Sequence, residues 1–174
     1  MLQIRQATIN DAISIALLGR VTFNDTFGHL FSDHNDLLDY LERTFSVAKI
    51  SSSLEKDNNQ FFIAFYNDLP VGYAKLKLDS TSEFLPSQKV CQLQKIYVLK
   101  DFLSKKIGKA LQDSLLIEAQ NKSFEKIWLS VYHENSRAIS FYEKNGFKPI
   151  GTHGFQIGKE YFDFIAMAKP LQNG

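Results

Sequence analysis

The residues best placed to do chemistry lie where a predicted strand leads into a lysine-rich helix start. The strand ends at Tyr97 and Val98, and the segment 103–111 that follows carries three lysines and Gly108. A helix start leaves its first N–H groups unpaired and carries the positive end of the helix dipole, so it attracts phosphate. Gly108 would let a ligand approach the backbone closely. The segment predicts a phosphate site, although a solvated helix start rich in lysine explains it equally well.

A second group of residues forms a helix signature directly after a predicted buried strand. Asn135 is a suitable N-cap, Ala138, Phe141 and Tyr142 occupy one helical face, and Gly146 fits the position past the helix end. The same pattern also fits a helix that caps itself and packs its rings into a core. The chemical roles of Asn135 and Tyr142 therefore stay open from the pattern alone.

These two segments must be positioned by a mixed sheet covered by helices. Period-two or β-rich runs predict strands at residues 2–7, 61–66, 71–78, 90–98, 127–132, 147–150 and 161–168. Helical spacing predicts helices after residue 8, at 33–45, at 103–120 and after 135. A turn at 67–70 joins the second and third strands with a bulge at Gly72, and a loop holding Gly151, Gly154 and Gly158 joins the last two. Connections in which a helix joins two strands are expected only in the second half of the chain.

Composition limits the classes of protein that this chain can be. Its 174 residues predict one domain over residues 1–174, and the net charge of +1 provides no global field for nucleic acid or an anionic membrane. The single cysteine, Cys91, excludes an internal disulfide, and no apolar run is long enough to span a bilayer. His29 and His34 are too few ligands to predict a metal site. We expect a soluble, cytoplasmic domain with no metal.

The two segments together resemble the GCN5-related N-acetyltransferase (GNAT) family. Within it, T-F-x-x-T-F at residues 22–27 and the region 40–42 resemble the bacterial spermidine/spermine acetyltransferases, the closest pattern in the family. The resemblance is carried by N-x-x-A-x-x-F-Y-x-x-x-G-F at residues 135–147, by the loop ending at Gly108 and by I-R-x-A-T-x-x-D-A at 4–12. The family pattern has Gln or Arg at Leu103 and Gly at Lys106, where a side chain is tolerated if the residue has ordinary helical dihedrals. The resemblance implies an α/β (α+β) GNAT fold: a mixed, mostly antiparallel sheet of about six to seven strands with helices on both faces.

The resemblance also implies an activity and a set of site residues. The activity is transfer of an acetyl group from acetyl-CoA to a primary amine by direct attack in a ternary complex. The backbone N–H of Val98 is the implied oxyanion donor, and Tyr142 is the implied acid for the thiolate. The implied cofactor-binding residues are Ile96, Tyr97, Val98, Ser104, Lys105, Lys106, Ile107, Gly108, Lys109, Ala110, Asn135, Ala138, Phe141 and Tyr142.

The general base and the acceptor are less constrained. Gln94 and Lys95 occupy strand positions where many polyamine-type relatives carry carboxylates, so that role is not transferred. His133 and Glu134 are the nearest titratable groups in sequence; His133 is the predicted base, and a chain of water molecules is the alternative. Residues 24–42 contain five acidic residues and no Lys or Arg: Asp25, Asp33, Asp36, Asp39 and Glu42. This acidic run would attract a cationic amine, although a solvated helix face explains it as well. We expect a small-molecule amine, with a polyamine as one candidate, and the resemblance allows a homodimer. Two alternatives are acetylation of a protein or peptide amine and a non-catalytic acyl-CoA-binding regulatory module.

Overall fold

A computed structural model, which describes residues 1–172, contains one seven-stranded sheet. The strands are β1 Leu2–Gln6, β2 Asn59–Tyr66, β3 Leu69–Lys77, β4 Val90–Val98, β5 Lys126–Tyr132, β6 Lys148–Ile157 and β7 Glu160–Pro170. Their order across the sheet is β1-β2-β3-β4-β5-β7-β6. Every neighbouring pair is antiparallel except β4 and β5, which run parallel. The predicted mixed, mostly antiparallel sheet is confirmed.

Helices cover both faces of this sheet, as predicted. They are α1 Ala12–Phe27, α2 His34–Phe45, α3 Val47–Leu54, α4 Ile107–Asn121 and α5 Ser136–Lys144. Because side chains alternate along a strand, neighbouring residues of β2 enter different cores: Ile63 packs beneath α1 to α3, and Ala64 packs beneath α4 and α5. The sheet therefore separates two apolar cores, and a site at its edge can draw on both layers.

The first strand is fastened to α1 by a capping box, for which Thr8 and Asp11 have the required three-residue spacing. Thr8 and Asp11 exchange backbone and side-chain contacts around a short 3₁₀ turn at Ile9–Asp11. The Arg5 guanidinium donates two hydrogen bonds of 2.8 Å to the Asp11 carboxylate. These bonds lower the pKa of the buried Asp11, so the carboxylate stays charged and can hold both the helix start and the strand.

The predicted hairpin at 67–70 is present, and its bulge has a structural consequence. Asn67 and Asp68 both have positive φ, as a two-residue type I′ turn requires. The β2–β3 register shifts beside Gly72, which lies directly opposite Val98 of β4. A Cβ atom at Gly72 would lie 2.7 Å from the Tyr97 carbonyl oxygen. The glycine thus allows β3 to lie close against the end of β4.

Two parts of the sequence prediction were wrong. The loop predicted between the last strands is absent: β6 continues to Ile157, and Gly158, at φ +57°, forms the turn. Gly151 and Gly154 lie inside β6, where a Cβ would collide with the rings of Phe84 and Tyr161, so these glycines mark close packing.

The serine-rich segment after α2 was not predicted to be helical. It forms α3, where the Ser46 hydroxyl caps the helix by accepting a hydrogen bond of 3.2 Å from the Lys49 N–H. This short helix lies over the same face of the sheet as α1 and α2, and it completes the second core.

Candidate active site

The site is created by a separation between the two parallel strands at the centre of the sheet. The β4–β5 ladder pairs Val90 with Lys126 and ends at Gln92 and Trp128. Both strands continue beyond that point, β4 to Val98 and β5 to Tyr132, without further pairing in the described chain. The carboxyl-terminal ends of the two strands therefore leave a gap in the sheet, and two adjoining cavities open there.

The larger of these, which we call the large cavity, has a volume of about 590 Å³. Eleven of the fourteen predicted cofactor-binding residues line it: Ile96, Tyr97, Val98, Ser104, Lys106, Gly108, Lys109, Asn135, Ala138, Phe141 and Tyr142. The other three face elsewhere. Lys105 places its ammonium 5.0 Å from the centre of the Tyr66 ring, and Ile107 is buried in the core beneath α4. Ala110 uses its N–H in the first hydrogen bond of the helix.

The loop that leads into α4 differs from the prediction. Residues Lys100–Lys105 form a 3₁₀ turn, and α4 begins only at Ile107 rather than at Leu103. Between them Lys106 has φ 59° and ψ 24°, a left-handed conformation, so the condition of ordinary helical dihedrals is not met. In that conformation a Cβ atom crowds the following carbonyl, whereas glycine is not crowded. This clash explains why glycine suits this position in the family pattern. Lys106 adopts the left-handed conformation despite the clash, which lowers the stability of the folded state.

The start of α4 presents unpaired donors to the large cavity. The first intrahelical bond runs from the Ala110 N–H to the Lys106 carbonyl, which leaves three earlier N–H groups, from residues 107–109, without a helical partner. A Cβ at Gly108 would meet only the tip of Phe141, at 4.0 Å, so a ligand can reach this backbone. These features fit an anion such as a pyrophosphate.

Two cationic side chains beside this helix start were not predicted from the sequence. Lys100 and Arg137 both line the large cavity, and an Arg137 Nη lies 3.4 Å from the Leu103 carbonyl oxygen. Arg137 is four residues before Phe141, so helical spacing could have placed it on the cavity face. Thr22, Asp25 and Thr26 of α1 close the other side, and of these Asp25 belongs to the acidic run identified in the sequence.

The backbone at the end of β4 directs one amide into the gap. The Leu99 N–H donates to the Val71 carbonyl at 2.8 Å, toward β3. Because successive N–H groups of a strand point to opposite edges, the Val98 N–H points toward β5 and the large cavity. Beyond Gln92 no β5 residue pairs with β4, so this amide lies at an open strand edge.

Tyr142 and Asn135 line both cavities and are held by the ends of α5. The Asn135 side chain caps α5 by accepting a 3.2 Å hydrogen bond from the Ala138 N–H, as predicted. At the other end Gly146, at φ 92°, allows the Phe147 N–H to bond the Tyr142 carbonyl at 3.0 Å. Burial raises the pKa of Tyr142, so its phenol stays protonated throughout the neutral range.

The second cavity, of about 260 Å³, adjoins the first and is lined mainly by rings. We call it the aromatic cavity, and its rings are Phe23, Phe27, Tyr40, Tyr97, Tyr132, Tyr142, Phe155, Phe162 and Phe164. Its polar wall includes Gln94, Lys95 and Ser130. Burial lowers the pKa of Lys95 to about 8. The cavity can therefore hold an apolar chain near an ammonium group that loses its proton close to neutrality.

The predicted base and the acidic residues lie mostly outside these cavities. His133 is exposed, its backbone N–H bonds Asp163, and its ring lines neither cavity, so its role as base stays a prediction. Of the acidic run, Asp33 pairs with Lys159 at 2.8 Å and Glu42 pairs with Arg20 at 3.2 Å. Asp36 accepts a 2.9 Å hydrogen bond from the Lys159 backbone N–H. Asp25 is the member of the run that lines a cavity.

Residues 1–172 contain neither a cluster of metal ligands nor a membrane-spanning helix. No group of three or more His, Cys, Asp or Glu side chains is arranged to hold a metal ion. None of the helices described has the length and apolar character needed to cross a bilayer.

Comparison with known proteins places these features in one family. The model of the acetyltransferase (GNAT) family matches residues 22–147. An uncharacterized N-acetyltransferase of Lactobacillus delbrueckii subsp. lactis is 26% identical, over 97% of both chains. The spermidine N(1)-acetyltransferase of Thermoplasma acidophilum is 26% identical, over 92% of this chain and 98% of its own. The crystal structure of the PaiA N-acetyltransferase from T. acidophilum, in complex with coenzyme A, superposes with a TM-score of 0.79 at 24% identity, covering 98% and 99% of the two chains.

Proposed function

This chain belongs to the GNAT family of acetyltransferases, and on that premise we propose that it moves an acetyl group from acetyl-CoA to a primary amine of a small molecule. The main support for this proposal is that two cavities adjoin each other at the end of β4. Tyr97 and Tyr142 form part of a wall that the large cavity and the aromatic cavity share. A cofactor in the first and an amine in the second would therefore meet at this wall.

The large cavity suits acetyl-CoA by its charge and its backbone donors. Unpaired N–H groups at the start of α4 and the side chains of Lys100, Lys106 and Arg137 would hold the negatively charged pyrophosphate. When bound, acetyl-CoA supplies a thioester carbonyl for attack and a thiolate as leaving group. Lys109 contributes less to this charge, because its ammonium pairs with Asp113 at 2.6 Å.

The sole cysteine of the chain is unsuited to a covalent intermediate. Cys91 is fully buried, lines neither cavity, and burial raises the pKa of its thiol to about 12. A thiol that stays protonated and inaccessible does not act as a nucleophile. This supports direct attack of the amine on the thioester, in which a C–N bond forms as the C–S bond breaks.

Two groups of the chain then serve the reaction. The Val98 N–H would donate to the oxyanion that develops on the carbonyl, because it faces the gap at an open strand edge. Tyr142 would give its proton to the departing thiolate, since burial keeps the phenol protonated until the thiolate forms. The proton lost by the attacking ammonium must pass to a separate base.

Two side chains compete for the role of base, and the pH–rate profile separates them. His133, the residue predicted from sequence, is exposed and would need a chain of water molecules to reach the amine. Lys95 lines the aromatic cavity, and with a pKa of about 8 a part of its population is neutral at working pH. If Lys95 is the base, the rate should rise through about pH 8, and Lys95→Met should remove that rise while His133→Ala leaves it unchanged.

The best-supported acceptor class is an amine on an apolar chain, with polyamines as the first candidates. Aromatic faces attract ammonium groups as well as carbon chains, and Asp25 lies at the rim of the large cavity. A relative named as a spermidine acetyltransferase covers nearly the whole chain, which supports the same choice. A protein amine is the second acceptor to test.

The experiment has two stages. Calorimetric titration with acetyl-CoA should give saturable binding with micromolar Kd, which corresponds to about −8 kcal/mol. Thiol release should then be measured with putrescine, spermidine, spermine and an alanine-terminated peptide. Absence of binding at millimolar acetyl-CoA would contradict the proposed activity. Binding with inert polyamines would reject only the polyamine acceptor, and turnover with the peptide alone would move the activity to protein amines.

A further inference from the structure

A third cavity, of about 380 Å³, lies between the sheet and α3. We call it the cationic cavity, because five lysines line it: Lys49, Lys56, Lys75, Lys77 and Lys95. Gln94 and Lys95 are the two residues that it shares with the aromatic cavity. The predicted GNAT activity does not use the other four lysines.

The pairing of β3 with β4 forces two of these lysines together. Lys75 lies directly opposite Lys95, and Lys77 follows two residues along β3 on the same face. Like charges directly opposite in a sheet are destabilising. The ammonium groups lie against rings: that of Lys75 is 5.5 Å from the centre of Phe61, and that of Lys95 is 5.1 Å from the centre of Phe45.

No carboxylate of the described chain compensates this charge. None of the five lysines takes part in the ion pairs formed within residues 1–172. Glu55 and Asp57 flank Lys56 in sequence, but neither lines the cavity. Burial, followed by repulsion from the other four lysines, lowers the pKa of Lys75 to about 7. The lining of the cavity thus brings five amines together without a carboxylate to pair with them, and two of these amines are partly neutral near pH 7 to 8.

The walls also offer donors without charge. Thr44 and Ser53 carry hydroxyl groups there, and Asn58 carries an amide. Tyr73 forms part of the wall, and its fully buried hydroxyl has no hydrogen-bond partner among the described residues. That hydroxyl lies toward α1, 3.0 Å from where a Cβ at Gly19 would be, so the uncharged donors of the cavity are the hydroxyls and the amide rather than this phenol.

We propose that the cationic cavity binds a small polyanion bearing phosphate or carboxylate groups. Its volume lies within the ~300–1,000 Å³ usual for small-ligand sites. Lysine ammonium groups bind phosphate as point charges, and a polyanion would relieve the repulsion across the Lys75–Lys95 pair. Lys49 and Lys56 are exposed at the entrance, where they would meet the ligand first, and Lys75 and Lys95 are half-buried on the floor.

Inorganic tripolyphosphate and citrate are the probes, tested separately against sodium chloride at equal ionic strength and without divalent cations. Binding is measured by calorimetry and by the shift in melting temperature, since a ligand that binds the folded state raises it. Three proteins are compared with the wild type: Lys75→Gln/Lys77→Gln in the cationic cavity, Lys106→Gln/Lys109→Gln in the large cavity, and Lys122→Gln as an exposed control. Lys122 lies just past α4, outside all three cavities.

We expect saturable binding of one of the probes, weakened at least ~10-fold in the Lys75→Gln/Lys77→Gln protein and kept by the other two. The probe that binds more tightly identifies phosphate or carboxylate as the recognised group. Loss of binding only in the Lys106→Gln/Lys109→Gln protein would assign the probe to the large cavity and overturn the proposal. A response equal to that of sodium chloride, or equal in all four proteins, would overturn it as well. None of these outcomes depends on acetyl transfer, so the proposed function can fail independently.

Discussion

Strand β4 contributes to two lysine-bearing cavities that differ in how their charge is arranged. In the large cavity the cations lie around a helix start, where backbone N–H groups add to them and Asp113 neutralises Lys109. In the cationic cavity the lysines lie against rings on a sheet face, with Lys75 and Lys95 opposed and no carboxylate in the lining. The first arrangement is built around one segment of sequence, to which Arg137 of α5 is added by the fold, whereas the second requires the register of two strands. Four variants test this difference.

The largest effect is expected in the large cavity, from Tyr142→Phe. Loss of the phenol should lower kcat at least ~10-fold, because the thiolate then departs without a proton donor. The Kd for acetyl-CoA should change by less than about twofold, since the ring that packs on Phe141 remains. Tyr66→Phe, outside all three cavities, is the control in steady-state assays. A kcat within twofold of wild type would remove Tyr142 from the mechanism.

The next effect concerns the cationic cavity and the free energy of unfolding. The pKa of Lys75 is lowered in the folded state to about 7, so the unfolded chain binds more protons between pH 7 and pH 10.5. Wild-type stability should therefore rise with pH over that window. Lys75→Gln should be more stable than wild type at pH 6, by about 2 kcal/mol after discounting for partial exposure, and this advantage should vanish above about pH 10.

Urea unfolding of both proteins at several pH values measures this difference. Lys122→Gln, which removes an exposed charge, should show no such pH dependence relative to wild type. A constant difference between Lys75→Gln and wild type across the window would mean that the ammonium of Lys75 is well solvated. The contrast between the two cavities would then be lost.

A smaller effect is expected from Arg137→Gln. This change should raise the Kd for acetyl-CoA about 5- to 10-fold, because one charge-assisted contact is lost from a site that is open to water. Lys144→Gln, which removes an exposed charge at the far end of the same helix, is the matched control. Calorimetry at two salt concentrations should show a weaker salt dependence for Arg137→Gln. Equal affinities for the two variants would exclude Arg137 from the cofactor site.

The smallest effect concerns the backbone of the large cavity. Lys106→Gly should raise the free energy of unfolding by about 1 kcal/mol, because glycine adopts the left-handed conformation without a Cβ clash. Lys105→Gly is the matched control, since Lys105 is outside the set of residues with positive φ, and there glycine should destabilise the protein. Thermal melts compare them. Destabilisation by Lys106→Gly would show that the Lys106 side chain stabilises the folded state by more than its left-handed backbone destabilises it.

The sequence allowed prediction of those site features that depend on neighbours along the chain. The Asn135 cap and the Gly146 turn follow from residues within one helix, and both were predicted. The left-handed Lys106 was missed, because a lysine gives no sign that its backbone must take the shape of the glycine it replaces. Gly151 and Gly154 were misread as loop residues, because the rings that require them, Phe84 and Tyr161, are known only once the strands pair.

The cationic cavity could not be predicted for a related reason. Its lysines come from α3, the segment after it, β3 and β4, and no window of sequence contains them all. A one-residue slip in the β3–β4 register would send Lys75 to the opposite face, so the cavity depends on pairing that sequence pattern alone leaves open.

The position of β7 affects how the protein folds as well as when the aromatic cavity is completed. This strand follows all the others in the chain, yet it lies inside the sheet, between β5 and β6. Until it is synthesised and inserted, β5 exposes an unpaired edge and β6 has no partner in the sheet. Phe162 and Phe164, which β7 brings to the aromatic cavity, also arrive only then. A nascent chain can thus bring together all the residues that line the large cavity before the aromatic cavity is complete. Contacts made by β7, such as that of Phe27 with Phe162, are among the last to form and among the most distant in sequence.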